Sequence, residues 1–450
     1  MTSQNQLFNF PYFEVQFNKS AQISNPNEVQ KLIEYLNNQS ISDLLVMSHG
    51  WNSDIADARG LYHRFFKAMR QVLDQGVVAE VANRNFGIMA IFWPSKKFTE
   101  AQLIPGGAAS FDDAGSDSLK EQLSDFKVLF DDSQSASTFE QLESLIPNLE
   151  DSPTARGKFA DLVRSLLSQD ATDDEDASSD FFSLEGEELM KRLNKPLSSD
   201  VMGQASQSEG GAAGIGDWSV GDVSGGGAAG LFGWFGGFKK AAGNLLNFAT
   251  YYEMKQRAGN VGIKGLNPLL KKIQQQLPQL KLHLMGHSFG GRLVTATAMG
   301  PGQAPMLSLS TLTLMQAAFS HYGFARHFSG NKNGYFRPVI VNQGISGPII
   351  ITHSKHDKAV GIAYPIASSL AQDDASGIGD ENDRFGGIGR NGAQKTPEAI
   401  KGLTLKSVGG NYAFEAGKAH NLRSDSVIKG HSDIVHPEVC YAILRAIAGS

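Results

Sequence analysis

The motif Gly286-His287-Ser288-Phe289-Gly290 places a serine between two glycines. The apolar stretch 282–285 before it is typical of a buried strand, and a helix-compatible stretch begins near Gly290. A serine can act as a nucleophile on such a strand-to-helix turn, where a Cβ at either glycine would collide with neighbouring backbone. The amino end of the following helix also favours a developing negative charge. The motif therefore predicts that Ser288 is a nucleophile.

A serine hydroxyl is a weak nucleophile at neutral pH, so it needs a general base, and the base needs an acid that fixes its tautomer. Asp357 follows the apolar stretch 348–353, and His431 comes shortly before the last predicted helix. The order Ser288, Asp357, His431 is expected when all three lie in loops at the carboxyl edge of one parallel sheet. We predict that Ser288 attacks, His431 transfers the proton and Asp357 orients His431.

Other roles and other candidates are open at this point. Asp357 could instead cap a following helix. His436 competes with His431 as the base, but it directly precedes Pro437 at a helix start, where capping is a natural role. His287 and His356 neighbour the site in the sequence and are expected to support it or to be exposed. His49 is expected to stabilise its loop by hydrogen bonding and not to act as the base.

A second glycine-containing turn, His49-Gly50-Trp51-Asn52, follows the continuous apolar stretch 43–48. Such a stretch is typical of a central parallel strand that is covered on both faces. A glycine directly after the strand lets backbone amides turn toward the sheet edge, although an ordinary strand-to-helix turn has the same composition.

The segments that would position these residues alternate between strands and helices. Apolar stretches predict strands at 12–17, 43–48, 86–93, 280–285, 308–317 and 348–353. Amphipathic patterns predict helices at 27–36, 54–73, 265–275 and 437–448. This alternation predicts an α/β fold with a mostly parallel, doubly wound sheet. Residues 373–395 are glycine-rich and charged, which is typical of a long surface loop.

The alternation stops after Pro94, and the composition changes over 102–248. Leucine and phenylalanine spacings predict four short helices in the first part of this segment, around residues 119–130, 139–146, 159–166 and 184–193. An acidic run at 170–176 is typical of a solvated loop. The stretch 203–230 is rich in Gly, Ala and Ser, which is typical of a flexible linker. We predict three parts: a core part at 1–101, a helical and glycine-rich insertion at 102–248, and a second core part at 249–450.

Within the insertion, residues 231–248 combine aromatic side chains, glycines and lysines. Trp234, Phe235 and Phe238 are followed by Lys239 and Lys240. This segment could contact a membrane interface, close over the site as a lid, or pack against the core. Its apolar character favours acyl chains or lipids as substrates over small soluble esters.

Composition excludes several classes. The chain has 450 residues, a net charge of −6 and a pI near 6.0, which give no electrostatic reason to expect nucleic acid as a partner. The single cysteine, Cys440, excludes an intramolecular disulfide and a thiolate-rich metal site, and we expect it on the last helix as a small apolar residue. Neither a signal peptide nor a spanning segment is evident, so we expect a cytoplasmic protein, with signal-independent export as the alternative. No metal or organic cofactor is implied.

The Gly-His-Ser-Phe-Gly motif, the His49-Gly50-Trp51 turn and the downstream acid and histidine together resemble the α/β-hydrolase superfamily. The resemblance covers roughly residues 10–100 and 250–450. It implies an eight-stranded, mostly parallel sheet flanked by helices, and an oxyanion hole formed by the N–H groups of Phe289 and Trp51. The insertion departs from the family pattern, because members usually place a cap after the strand that follows the nucleophile helix.

These patterns favour a serine hydrolase that acts on carboxylic esters through an acyl-enzyme. An amidase or peptidase with the same three residues is an alternative, because no feature of the sequence separates ester from amide cleavage. A third hypothesis is a membrane-associating or partner-binding protein that acts through the insertion.

Overall fold

The computed structural model describes residues 6–95, 113–130, 133–168, 178–194, 237–302, 307–357 and 385–450. The chain forms two compact units. The first comprises Met1–Lys96, Lys255–Gly361 and Gly386–Ser450, and the second comprises Lys97–Met254 and Ile362–Phe385. The division into three parts that the sequence suggests stays a prediction.

A sheet of nine strands forms the centre of the first unit within the described residues. The strands are β1 (Gln6–Leu7), β2 (Phe10–Gln16), β3 (Asp43–Ser48), β4 (Phe86–Phe92), β5 (Lys281–His287), β6 (Thr311–Met315), β7 (Ile349–His353), β8 (Ala399–Thr404) and β9 (Ala419–Arg423). Their order across the sheet is β1-β2-β4-β3-β5-β6-β7-β9-β8. All neighbouring pairs are parallel except the short β1–β2 pair. The predicted α/β fold with a mostly parallel sheet is confirmed, and β1 adds an antiparallel edge to the eight parallel strands.

The helices in the described ranges are α1 (Pro26–Asn38), α2 (Ile55–Asp74), α3 (Asp113–Lys127), α4 (Ser133–Leu145), α5 (Pro153–Ser165), α6 (Ser178–Ser183), α7 (Gly186–Leu193), α8 (Phe238–Asn260), α9 (Asn267–Gln276), α10 (Phe289–Met299), α11 (Arg337–Val341), α12 (Ile388–Asn391) and α13 (Pro437–Ala448). A single π-helical turn at Val261–Leu266 joins α8 to α9. No helix in these ranges combines the length and apolar character needed to cross a membrane.

Helices lie on both sides of the sheet. On one face, α2 and α13 pack together over strand residues that include Leu45, Met47 and Ile88. In addition, α1 contacts β2, and α10 contacts β3 and β5. Cys440 is buried on α13, as expected.

The local sequence explains why these elements form. In α1, Val29, Leu32, Ile33 and Leu36 are buried, which is the spacing that places four side chains on one helix face. In α2, the Asp54 side chain accepts from the Asp57 N–H while the Asp57 side chain accepts from the Asp54 N–H, and this reciprocal pair fixes the helix start. β3 and β4 are buried along their whole length, as a continuous apolar stretch predicts.

The second unit consists, in its described residues, of α3 to α7 and the part of α8 up to Met254. α3, α4, α5 and α7 confirm the four predicted helices, whereas α6 was not predicted. Glu150 accepts hydrogen bonds from the N–H groups of Phe238 and Lys239 at the start of α8. Arg156 pairs with both oxygens of Glu187 and lies 3.7 Å from the Phe238 ring centroid. The acidic run 170–176 and the linker 203–230 lie outside the described residues.

The prediction of a surface loop at 373–395 is wrong for its last part. Ile388 and Ala393 are fully buried, and α12 lies between residues 387 and 392. The Gly389 N–H donates to the Ala317 carbonyl, and a Cβ placed on Gly389 would lie 2.6 Å from the Gln316 carbonyl carbon. Glycine is therefore used here for close packing beside β6 and not for flexibility. Residues 373–384 lie outside the described part.

Candidate active site

The predicted nucleophile occupies a strained turn between β5 and α10. Ser288 has φ +57° and ψ −126°, a conformation that a side-chain-bearing residue rarely adopts. A Cβ placed on Gly286 would lie 2.3 Å from the Gly290 carbonyl oxygen, and one on Gly290 would lie 2.3 Å from the Ser48 carbonyl oxygen. The two flanking glycines are therefore required by backbone packing, as the motif predicts.

The main chain of Ser288 is held by β6 and by its own helix. Its N–H donates to the Met315 carbonyl at 3.1 Å, and its carbonyl accepts from the N–H groups of Gly291 at 2.9 Å and Ala318 at 3.0 Å. The side chain lies inside the protein, since Ser288 is 1% exposed. Within the described residues, its Oγ has no hydrogen-bond partner. The turn thus fixes the serine backbone, and the hydroxyl makes no hydrogen bond to the described residues.

Asp357 and His431 form a buried hydrogen-bonded pair, although they are far apart in the sequence. Asp357 follows β7 and His431 follows β9. The Nδ1 of His431 lies 3.0 Å from each carboxylate oxygen of Asp357. A carboxylate can only accept, so Nδ1 carries the proton and the neutral ring has its lone pair on Nε2. That Nε2 atom is buried and has no partner within the described ranges.

The competing histidine, His436, has a different environment. It is the N-cap residue of α13, as expected, but its side chain does not cap the helix. Its Nε2 instead lies 2.7 Å from Asp433 Oδ1. His356 is partly exposed, and its N–H donates to Ser354 Oγ. Of these three histidines, it is His431 whose ring is bonded to Asp357.

The turn at residues 49–52 lies directly beside Ser288. A Cβ placed on Gly50 would lie 2.8 Å from Ser288 Cβ and 3.3 Å from Ser288 Oγ. The rings of Trp51 and Phe289 pack edge to face, with centroids 5.8 Å apart. In the described part of the chain, no protein acceptor takes a hydrogen bond from the Trp51 backbone N–H. The structure therefore brings both predicted oxyanion residues to the serine, while that role stays a prediction.

His49 stabilises this turn, as expected. Its Nδ1 donates to the Gly50 carbonyl at 2.8 Å, and its carbonyl accepts from the Trp93 indole N–H at 3.1 Å. Burial lowers the pKa of His49 to about 4, so the ring is neutral near pH 7. Its Nε2 accepts from the Trp93 backbone N–H at 3.4 Å, so both ring nitrogens are engaged within the turn. His49 is therefore part of the support of the turn.

Ser95, after the end of β4, supports the same turn and was missed in the sequence. Its carbonyl accepts from the Asn52 N–H at 2.9 Å, and its hydroxyl donates to the Ser53 carbonyl at 2.8 Å. Ser95 is 1% exposed. The sequence holds no motif for such a residue, because the contact depends on β3 and β4 being neighbours in the sheet.

Gln316 supports Asp357 and was also missed. It follows β6 with φ +44°, and its side chain is buried. Its Oε1 accepts from the Thr352 hydroxyl at 2.8 Å, and its Nε2 donates to the Gly389 carbonyl at 2.8 Å and lies 3.5 Å from Asp357 Oδ2. Positive φ in a buried glutamine marks a strained position. This strain is a structural signal that sequence alone does not provide.

His287 contacts the site and does not lie on the surface. Its Nε2 lies 2.9 Å from the His431 carbonyl oxygen, and the two imidazole ring centroids are 5.0 Å apart. In the turn at residues 49–52, two further buried atoms lack partners within the described residues: Trp51 Nε1 and Asn52 Oδ1. No group of His, Cys, Asp or Glu side chains in the described ranges is arranged to hold a metal ion.

Serine, imidazole and carboxylate in this arrangement can perform nucleophilic attack with proton transfer. Comparisons with known proteins do not assign a family, since no protein-family model, curated protein or solved structure matches the chain.

Proposed function

We propose that this protein is a serine hydrolase of the α/β-hydrolase superfamily that cleaves carboxylic esters through an acyl-enzyme. The observation that carries the proposal is the buried pair formed by Asp357 and His431, whose Nε2 is left unpaired. This pair is joined through His287 to the strained turn that presents Ser288. A parallel sheet with these residues after β5, β7 and β9 supports the family assignment.

In the proposed reaction, Ser288 Oγ attacks the ester carbonyl carbon and its proton passes to His431 Nε2. The N–H groups of Phe289 and Trp51 would stabilise the negative oxygen of the tetrahedral intermediate. When the intermediate collapses, the bond to the alcohol oxygen breaks and His431 returns the proton to that oxygen. A water molecule then attacks the acyl carbon and gives a proton to His431 Nε2. The bond to Ser288 Oγ breaks, His431 returns the proton to Oγ, and the acid is released.

Ser288 Oγ and His431 Nε2 are not hydrogen bonded to each other, and both are buried without partners in the described residues. A buried polar atom without a hydrogen-bond partner lowers the free energy of unfolding by about 1–3 kcal/mol. Such pairs are often loosely aligned without substrate and tighten when the reacting carbonyl is bound. The unpaired atoms are therefore consistent with a site completed by substrate.

The proposed preference for the acyl group depends on the segment 231–248. Trp234 and Phe235 lie outside the described residues, while Leu245 and Leu246 of α8 are fully buried. The preference for acyl chains or lipids, and a membrane-interface contact through 231–248, stay predictions. The same is true of the amidase or peptidase alternative.

A substrate panel tests the function. We expect the wild-type protein to hydrolyse p-nitrophenyl esters in preference to matched p-nitroanilides. Ser288→Ala should lower kcat by about 10³-fold or more, because the nucleophile is lost. Ser144→Ala is the control, since Ser144 is exposed on α4 and its hydroxyl donates to the Gln141 carbonyl of its own helix. Equal ester turnover by wild type and Ser288→Ala would refute the proposal. A preference for anilides would show that the protein is an amidase and not an esterase.

A further inference from the structure

His287 lies at a junction between the three parts of the site. It is the last residue of β5 and directly precedes Ser288. Its Nε2 lies 2.9 Å from the carbonyl oxygen of His431. Its Nδ1 lies 3.2 Å from the position that a Cβ on Gly50 would occupy. The His287 side chain thus contacts the backbone of His431, the predicted base, and the turn that carries Gly50. It also belongs to the residue next to Ser288, the predicted nucleophile.

The imidazole of His287 acts as a neutral donor. A carbonyl oxygen only accepts, so Nε2 carries the hydrogen in this bond. Burial and the adjacent His431 lower the pKa of His287 to about 3. A charged ring 5.0 Å from His431 would oppose the imidazolium that forms there during proton transfer. A neutral donor avoids this repulsion.

Within the described residues, the other hydrogen bonds of the His431 loop join its own residues to each other or join the loop to the segment after β7. The Lys429 N–H donates to Asp433 Oδ2 at 2.8 Å, and the Asp433 N–H donates to the Gly430 carbonyl. The Ser354 hydroxyl, after β7, donates to the Ile428 carbonyl at 2.9 Å. These hydrogen bonds shape the loop, but none of them reaches β5. Among the described residues, the hydrogen bond that joins the loop to β5 is the one from His287 Nε2 to the His431 carbonyl.

We propose that His287 is a positioning residue, whose Nε2–H bond to the His431 carbonyl holds the general base at its working distance from Ser288. This inference rests on the proposed function. A displacement of about 1 Å between reacting groups lowers rates by roughly 100-fold. The bond therefore controls the rate of proton transfer and not the affinity for substrate.

Two substitutions separate this role from simple packing. His287→Leu removes the donor, whereas His287→Gln keeps a neutral N–H donor at a similar distance from the backbone. We expect His287→Leu to lower kcat about 10- to 100-fold with KM within about twofold. His287→Gln should recover kcat to within about threefold of wild type. Thermal unfolding identifies any variant that fails to fold.

Amide hydrogen exchange over residues 428–436 gives a second readout that does not depend on catalysis. We expect faster exchange there in His287→Leu, and wild-type exchange in His287→Gln. Equal kcat in wild type and His287→Leu, or equal losses in both variants, would overturn the positioning role. Failure of the proposed function has a different signature, because wild type and Ser288→Ala would then show the same turnover whatever residue stands at position 287.

Discussion

At the level of single residues, the buried carboxylate of Asp357 determines which nitrogen of His431 carries the proton. Both carboxylate oxygens lie 3.0 Å from His431 Nδ1, and Asp357 is fully buried. In the proposed mechanism, the Nε2 lone pair then accepts the proton from Ser288.

Asp357→Asn tests this assignment. The amide can turn its NH₂ group toward Nδ1, which would move the ring proton to Nε2 and remove the base. We expect kcat for ester hydrolysis to fall about 10³- to 10⁴-fold with little change in fold. Asp425→Asn is the matched control, because Asp425 Oδ1 accepts from the Lys355 N–H and asparagine keeps that oxygen. More than a tenth of wild-type kcat in Asp357→Asn would contradict the assignment.

Residue types and chain order were sufficient to predict that Asp357 and His431 belong together. They were not sufficient for Gln316 or Ser95, whose partners come from neighbouring strands and not from a local pattern. The contact made by His287 was equally hidden, because the carbonyl it binds lies 144 positions further along the chain. Supporting residues of this kind depend on topology, which a local motif does not encode.

At the level of elements, the docking of α10 on β3 decides where Ser288 lies. Gly290, in the first turn of α10, is so close to β3 that its missing Cβ would lie 2.3 Å from the Ser48 carbonyl oxygen and 2.4 Å from that of His49. The helix can therefore approach the strand only with glycine at this position.

Gly290→Ala should destabilise the protein by about 2 kcal/mol or more, because the methyl group forces α10 away from β3. Gly259→Ala in α8 is the control, since the nearest atom to its added Cβ, in the Arg292 side chain, is 4.0 Å away. Alanine there should be neutral or stabilise by up to about 1 kcal/mol. Urea denaturation measures the free energy of unfolding of both variants. Equal midpoints for wild type and Gly290→Ala would show that α10 can shift without a loss of stability.

Elements with strong apolar periodicity were predicted correctly, as α1 and α13 show. β8 and β9 were missed for different physical reasons. β8 is a partly exposed edge strand, and β9 carries the buried polar residues His420 and Asn421. Asn421 Oδ1 accepts from the Ala393 N–H, so its polarity is satisfied inside the protein. The α12 region is predicted as a surface loop because the stretch 373–395 is glycine-rich and charged, whereas in the structure Gly389 permits close packing.

At the level of the whole molecule, the fold buries neutral histidines around the site. Burial lowers the pKa of His49 to about 4, and burial with the neighbouring His431 lowers that of His287 to about 3, from an ordinary value of 6.5. Both folded values lie below the unfolded value, so the unfolded chain binds more protons as the pH falls below 6.5. The stabilisation is therefore complete above pH 6.5 and is lost progressively toward pH 4 and below.

We expect the free energy of unfolding to fall by about 1.2 kcal/mol between pH 6 and pH 5 for each of these histidines. His287→Gln removes one titrating group and should reduce this slope. Urea denaturation at constant ionic strength measures the slope in both proteins. A wild-type stability that does not change between pH 7 and pH 5 would show that these rings are accessible to protons in the folded state.

The α/β class could be predicted because strands and helices alternate on both sides of a long insertion. The contact between Asp357 and His431 could be predicted because parallel strands place their carboxyl ends at one edge of the sheet. For the second unit, the sequence predicted individual helices but not how they pack together. Contacts such as the Arg156–Glu187 pair join side chains of different helices, and no local pattern indicates them.

The measurement that tests the central claim most directly is intact-mass analysis after treatment with a fluorophosphonate, on wild type and on Ser288→Ala. An activated serine forms a covalent bond to phosphorus and displaces fluoride. The proposed mechanism predicts one adduct on wild type and none on Ser288→Ala. An unmodified wild-type protein, or the same adduct on both proteins, would contradict the claim that Ser288 is an activated nucleophile.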